Sequence, residues 1–172
     1  MSIVVIGLNH RTTPVDLLGK VMISDAALPK ALHALSVRDD IREAVIVSTC
    51  NRTEVYAIAE RFHGAYTDIR DFICETSGVA PEEISAHLYS QHDDDAIVHL
   101  FEVAAGLDSA VLGETEVLGQ VRHAWDVAMN EGSSRSALNL LFRHALEVGK
   151  RARTETGISR STASVSHAAV EM

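Results

Sequence analysis

Apolar positions recur along the chain with a period of two in some stretches and of about 3.6 in others, and each change of period marks a new element. Ile3-Val4-Val5-Ile6-Gly7 is an apolar run of strand length, followed by the polar loop Leu8 to Pro14. Pro14 suits the first turn of a short helix over 15–18, which Gly19 is placed to end. Ser24-Asp25 offers an N-cap for a second helix whose stripe is Leu28, Ala31, Leu32 and Leu35, its regular part starting after Pro29. Residues 43–49 and 53–60 are β-prone runs separated by a short polar turn, the pattern of a hairpin. A helix over 66–76 buries Ile69, Phe72 and Ile73 and closes at Gly78, and residues 84–91 are short and β-prone. The order β-α-β-β-α-β predicts an α+β fold that begins with a ferredoxin-like subdomain and antiparallel sheet over residues 1–92.

From Asp93 the helical period takes over. Asp93 to Asp95 place acids at a helix N-terminus, and Ile97, Leu100, Phe101, Val103, Ala104 and Leu107 form its stripe. A second helix over 114–130 turns Val117, Leu118, Val121, Trp125 and Met129 inward. Ser133-Ser134 can cap a third, buried through Leu138, Leu141, Phe142, Ala145, Val148 and Ala152 and ending at Gly157. Residues 93–157 are therefore expected to form a helical subdomain. Residues 158–172 read as a connector, in which the apolar helical pattern from Val165 to Met172 reaches the last residue without a cap. A further domain is expected beyond it.

Composition narrows this picture. The chain has 172 residues, 47% of them hydrophobic and 23% charged, which suits one domain or a small pair of subdomains. No apolar stretch reaches the length of a membrane span, and no basic region precedes Ile3, so neither a membrane anchor nor a secretory signal is predicted. Two cysteines far apart make no disulfide framework, and a reducing cytosol is expected. The net charge of −9 argues against holding nucleic acid by bulk electrostatics. Residues 133–160 nevertheless carry Arg135, Arg143, Lys150, Arg151, Arg153 and Arg160 against Glu147 and Glu155, a local basic face that a solvated helix surface explains equally.

Several constellations of known chemistry are missing. The sequence has no Cys-x-x-Cys and no His-Glu-x-x-His, and its nine histidines are scattered, so no zinc site is expected. No Gly-rich phosphate cradle follows a strand, and no aromatic RNP signature marks the sheet. What remains is the turn Ser48-Thr49-Cys50-Asn51-Arg52-Thr53-Glu54. In an extended chain Cys50 and Arg52 face the same side, where a guanidinium would favour the thiolate and could hold a carboxylate. A small buried cysteine ending a core strand fits the same residues. Cys74, beside an apolar helix face, suits an inert thiol. His99 lies alone between Val98 and Leu100, as many satisfied core histidines do. The stretch from Gly106 to Val121, with three glycines, suggests a helix-loop-helix corner whose backbone closely approaches something, or a plain packed corner.

Five blocks together resemble glutamyl-tRNA reductase. They are Gly7-Leu8-Asn9-His10-Arg11-Thr12, Ser48 to Glu54, Gly106-Leu107-Asp108-Ser109 running into Leu112-Gly113-Glu114 and Leu118-Gly119-Gln120-Val121, Gly149 to Ile158, and Ser164 to Ala169. The resemblance implies NADPH-dependent reduction of glutamyl-tRNA(Glu) to glutamate-1-semialdehyde through a cysteine thioester, the entry to tetrapyrrole (porphyrin, haem) biosynthesis. Carried over by position, Cys50 would be the nucleophile and His99 the acid–base residue. Thr49, Asn51, Arg52, Ser109, Glu114, Thr115, Glu116 and Gln120 would line the glutamate pocket. The sequence has Glu114-Thr115-Glu116 where many members have Glu-Pro-Gln, a departure at the last two positions. Members continue into an NADPH-binding domain and a dimerisation domain. The chain is thus expected to be the N-terminal catalytic domain, monomeric where the full-length protein is a homodimer, and able to form the thioester without reducing it. A non-catalytic module that binds tRNA or a regulator through residues 133–160, and another cysteine acyltransferase or hydrolase, are the alternatives.

Overall fold

β3, over Arg52–Ala59, is buried at every position, although it belongs to an antiparallel sheet. An antiparallel sheet with one wet face would alternate buried and exposed residues, so both faces here must be covered. The computed structural model describes residues 1–158, and the expectations for residues 159–172 lie outside the described residues. Around β3 the chain runs β1 (Ser2–Asn9), α1 (Val15–Val21), α2 (Leu28–Ser36), β2 (Ile41–Thr49), then α3 (Phe62–Ser77), α4 (Pro81–Ser85), β4 (Tyr89–His92), α5 (Asp94–Ala105), α6 (Glu116–Asn130) and α7 (Ser136–Glu155). The sheet order is β2-β3-β1-β4 with every pair antiparallel, the ferredoxin-like arrangement expected from the element order. Among the described residues no helix is long and apolar enough to cross a membrane.

The register assigns the two faces. Val45, Tyr56 and Val5 are cross-strand partners, as are Val47, Glu54 and Gly7. On that face Tyr56 meets Phe142 of α7 edge-to-face at 5.5 Å and stacks near His99 of α5. The opposite face carries Ser48 and Thr53. Ser48 Oγ accepts from Ile23 N–H (2.9 Å) and Thr53 Oγ1 donates to the Val21 carbonyl (3.3 Å), so the end of α1 lies on that side. α1, α2 and α3 pack together there over Val4, Ile6, Leu8 and Val55, while α5, α6 and α7 close the other side.

Several local expectations change. Gly19 does not end α1, which continues to Val21 and stops where Met22 becomes extended. Ser24 does not cap α2 with its side chain; its carbonyl accepts the N–H groups of Ala27 and Leu28, and Ala27 is the N-cap. Ile84 belongs to the short helix α4, begun by Pro81 with Glu82 and Glu83 in its first turn, so the last strand holds only 89–92. Gly106 ends α5 in the left-handed region, which leaves Leu107 outside the helix and exposed. Met129 is also exposed. Gly78 closes α3 as predicted, with φ +71° and its N–H on the Cys74 carbonyl at 2.8 Å.

The cap of α7 comes from far away. Ser133 and Ser134 are buried but do not cap it. Glu43 of β2 instead accepts from the N–H groups of Arg135 (2.8 Å), Ala137 (3.3 Å) and Leu138 (3.0 Å), a carboxylate at the positive end of the helix. Ser133 pairs with the outer edge of β2: Ala44 N–H donates to its carbonyl and its Oγ donates to the Ala44 carbonyl, both at 2.9 Å.

Gly7 is a close-approach position. A Cβ there would lie 2.4 Å from the Thr53 carbonyl oxygen and 2.7 Å from Glu54 Cα, and it would crowd the Glu54 side chain. Gly7→Ala should therefore lower stability by roughly 1–3 kcal/mol, as overpacking does. Gly19→Ala, in a helix with nothing within 4 Å of the new methyl, should raise it by up to about 1 kcal/mol. Urea denaturation of the two variants checks the pair, and equal effects would remove the close-approach argument.

Candidate active site

Thr49 pairs with Arg52, so the β2–β3 hairpin turns on two residues, Cys50 and Asn51. Asn51 N–H donates to Thr49 Oγ1 at 3.1 Å, which tightens the turn, and His10 N–H donates to the Asn51 carbonyl at 2.9 Å from the loop after β1. Cys50 is a free, exposed thiol at the tip, with Thr49 and Asn51 half-buried beside it. The extended backbone under which Cys50 and Arg52 would face the same side is not present, because Cys50 lies in the turn and Arg52 opens β3. Thiol and guanidinium therefore occupy different environments.

Arg52 is only 2% exposed. Its Nη1 donates to Glu54 Oε1 (2.8 Å) and Asp108 Oδ2 (3.1 Å), and its Nη2 donates to the Asp108 carbonyl (2.6 Å). Glu54 is fully buried. Its Oε1 also accepts from Tyr89 OH and from His99 Nε2 (2.9 Å), and its Oε2 accepts from Tyr56 OH (2.7 Å). Burial pushes the Glu54 carboxyl pKa up, but the charge of Arg52 and the hydrogen bonds from His99 and Tyr89 pull it down from the ordinary 4.5 to about 2. Burial and then the charge of Glu54 push Tyr56 and Tyr89 far up, so both remain protonated donors. Asp108 Oδ1 also lies 3.3 Å from Arg11 Nε. Donor atoms of Glu54, His99 and Asp108 lie within 4.8 Å of one another, as a metal site would require. The Arg52 guanidinium already bonds both carboxylates and supplies the positive charge they need.

Asp108 belongs to the corner between α5 and α6, so Arg52 ties the hairpin to that corner. Gly106 and Gly113 adopt φ +80° and +76°, and Gly113 N–H donates to the Gly106 carbonyl at 2.8 Å. Ser109 and Glu114 are buried within the loop, and Ser109 Oγ has no hydrogen-bond partner among the described residues. Arg153, in the last turn of α7, holds the loop from behind: Nη1 donates to the Ala104 carbonyl (2.7 Å) and Nη2 to the Glu114 carbonyl (2.9 Å). Thr115 and Glu116 are exposed at the start of α6, and Gln120 is half-buried one turn on. Glu116 and Gln120 join Ser48, Asp25 and His123 in a cleft of about 420 Å³ beside β2.

The structure thus joins Arg52 and His99 directly through Glu54 and brings Ser109 next to them through Asp108. It places Glu116 and Gln120 on a cleft that Ser48, at the end of β2 leading to the turn, also lines. The predicted site omitted Glu54, Asp108, Tyr56 and Tyr89. Glu54 and Tyr56 were within reach, since Arg52, Glu54 and Tyr56 alternate along one face of a strand whose other face is apolar at Val55 and Ala57. Asp108 gave no such signal, because its partner lies 56 residues away.

A ferredoxin-like sheet sandwiched between helices, with an exposed thiol on a hairpin turn above a buried Arg–carboxylate–His network, defines a thiol-bearing α+β domain. Residues 6–156 match the family described as "Glutamyl-tRNAGlu reductase, N-terminal domain", and the chain belongs to the glutamyl-tRNA reductase family. It is 48% identical over 165 residues to the glutamyl-tRNA reductase of Frankia alni, covering 96% of this chain and 35% of that protein. With the glutamyl-tRNA reductase of Pelotomaculum thermopropionicum it shares 49% over 172 residues, all of this chain and 39% of the relative. The solved structure of glutamyl-tRNA reductase from Methanopyrus kandleri superimposes with a TM-score of 0.74 at 34% identity, over 98% of this chain and 38% of that one. The chain therefore spans less than two fifths of the length of these relatives.

Because Glu54 has a lower pKa folded than unfolded, the folded state binds fewer protons between the two values. Its contribution is fully present above about pH 4.5 and is lost as pH falls toward about 2. Glu54→Gln should cost about 3 kcal/mol at pH 7, the low end for breaking a buried pair because Asp108 still faces Arg52. It should also flatten the acid limb of stability relative to wild type. Urea unfolding at a series of pH values tests both, and parallel acid limbs would count against an ionised Glu54.

Proposed function

We propose that the chain is the acyl-accepting part of a glutamyl-tRNA reductase. Cys50 takes the glutamyl group from the tRNA 3′ end as a thioester, which the full-length protein reduces to glutamate-1-semialdehyde with NADPH, opening tetrapyrrole biosynthesis. The observation that carries this reading is Cys50, an exposed thiol held on a two-residue turn in a domain of this family. The aminoacyl ester is already an activated carbonyl. The Cys50 thiolate attacks it, the ribose oxygen leaves, and the thioester remains. Sulfur donates less electron density into the carbonyl than oxygen does, so the thioester is the better hydride acceptor.

Arg52 reads the side-chain carboxylate of the glutamyl group. Its Nε–H and one Nη2–H have no protein partner among the described residues, and together they match the two oxygens of a carboxylate. Glu54 and Asp108 hold the guanidinium in place for that contact. A neutral substrate side chain would leave those donors unpaired, a basis for rejecting it. The unpartnered Oγ of Ser109 supports a polar contact from the corner, and Thr49, Asn51, Glu114 and Gln120 complete the pocket in this reading. Thr115 and Glu116 contribute at its exposed edge. His99 assists proton transfer through Nδ1, since its Nε2 is bound to Glu54.

The described residues do not fit a dinucleotide: β1 runs into the Asn9–Pro14 loop, not into a Gly-rich turn opening a helix. NADPH is accordingly placed elsewhere in the full-length protein, which we read as a cytosolic homodimer, with this chain alone a monomer.

Incubation with glutamyl-tRNA carrying labelled glutamate should leave hydroxylamine-sensitive label on the denatured protein. Cys74→Ser should retain the label and Cys50→Ser should lose it. Equal thioester-type labelling of the Cys50→Ser protein would refute the assignment.

A further inference from the structure

His10 reaches the thiol's turn from the opposite side. Its N–H on the Asn51 carbonyl extends the β1–β3 pairing one step past Asn9–Arg52, so His10 stands across from the residue that follows Cys50. The loop carrying it is fixed. Asn9 Oδ1 accepts from the N–H groups of Arg11 (2.9 Å) and Thr12 (3.3 Å), and Arg11 is paired with Asp108. The imidazole is half-buried, with Nδ1 enclosed and without a hydrogen-bond partner among the described residues. A proton on Nδ1 would be a buried donor with no acceptor, so a neutral ring carries its proton on Nε2. Burial first, then Arg52 from β3 and Arg11 from its own loop, oppose a second proton. Asp108 from the α5–α6 corner and the Asn51 carbonyl favour it, and the balance holds the ring below its ordinary pKa. His10 is therefore an uncharged imidazole with its proton on Nε2, on a residue whose backbone is tied to the Cys50 turn.

We propose that His10 is a substrate-contacting residue of the acyl transfer, its Nε2–H donating to the carbonyl oxygen of the ester as Cys50 attacks. The proposal rests on the acyl-transfer reading above. As the bond from Cys50 Sγ to the carbonyl carbon forms, the carbonyl π pair moves onto oxygen, and His10 holds that oxyanion. The pair then returns, the bond to the ribose oxygen breaks, and that oxygen leaves as a hydroxyl with the proton released by the thiol. His10 begins and ends neutral, so a donor of fixed charge serves both halves of the step. His99 cannot fill this place with Nε2, which is committed to buried Glu54.

The test compares two rates in the 172-residue protein: Cys50 acylation by labelled glutamyl-tRNA in a single turnover, and Cys50 alkylation by iodoacetamide, which has no oxyanion to stabilise. His10→Phe and His10→Ala should slow acylation by about 100-fold, the usual loss of one oxyanion donor, while alkylation stays within about twofold. His10→Gln, which keeps an N–H donor, should recover at least about tenfold of the loss. Wild-type acylation rates in His10→Phe and His10→Ala overturn the proposal, as does a parallel fall in alkylation, which would place His10 in holding the turn. A wild-type protein that alkylates at Cys50 but forms no thioester overturns the acyl-transfer reading, and this proposal with it.

Discussion

A carboxylate with no access to water, Glu54, lies at the centre of this molecule, and it is tolerable there only because four side chains donate to it. Arg52 and Tyr56 come from its own strand, Tyr89 from β4 and His99 from α5. An isolated ionised carboxylate in such a place would be prohibitively costly, so the network must form as a unit. Its requirements extend outward. Gly7 must lack a side chain so that Glu54 can lie over β1. β3 must stay in register, because a one-residue slip would turn Arg52 and Glu54 together to the face away from His99 and Asp108. Asp108 must come in from a corner that two left-handed glycines bend into place.

The network has a mechanical reading as well as an electrostatic one. Buried ion pairs are weak evidence for net stability, but removing one member is costly because it strands the other charge. Here the pair fixes the hairpin against the corner between α5 and α6, and Arg153 fixes the same corner against α7. The thiol at the tip of the turn is exposed, but everything beneath it is held from at least two directions. Reactive groups on rigid supports need less reorganisation to reach a productive geometry.

Much of this was legible in the sequence where the signal is local. Gly78 announced the end of α3, and the paired β-prone runs around Cys50-Asn51 announced the hairpin. Ile84 was misplaced because its apolar neighbours suggest a strand, while the Pro81-Glu82-Glu83 start of a helix carried the correct signal. Ser133 and Ser134 looked like caps because serine usually is one; Glu43, distant in sequence, took that role through tertiary contact. Within the site, Cys50, Arg52 and His99 stood out by residue type and family resemblance. That Glu54 links Arg52 to His99 depends on bringing α5 over the sheet, which no periodicity within either segment encodes.

The pairing of Ser133 with Ala44 has a consequence for the protein in a crowded solution. β2 lies at the border of the sheet, and an open border strand is a template onto which other chains can add and grow into aggregates. Ser133 takes both the Ala44 N–H and the Ala44 carbonyl, and α6 runs alongside, so that border is closed midway along its length. The other border is β4, only four residues long and carrying Ser90, Gln91 and His92. The domain can therefore expose the Cys50 hairpin tip to solvent while offering little uninterrupted backbone for a neighbour to extend.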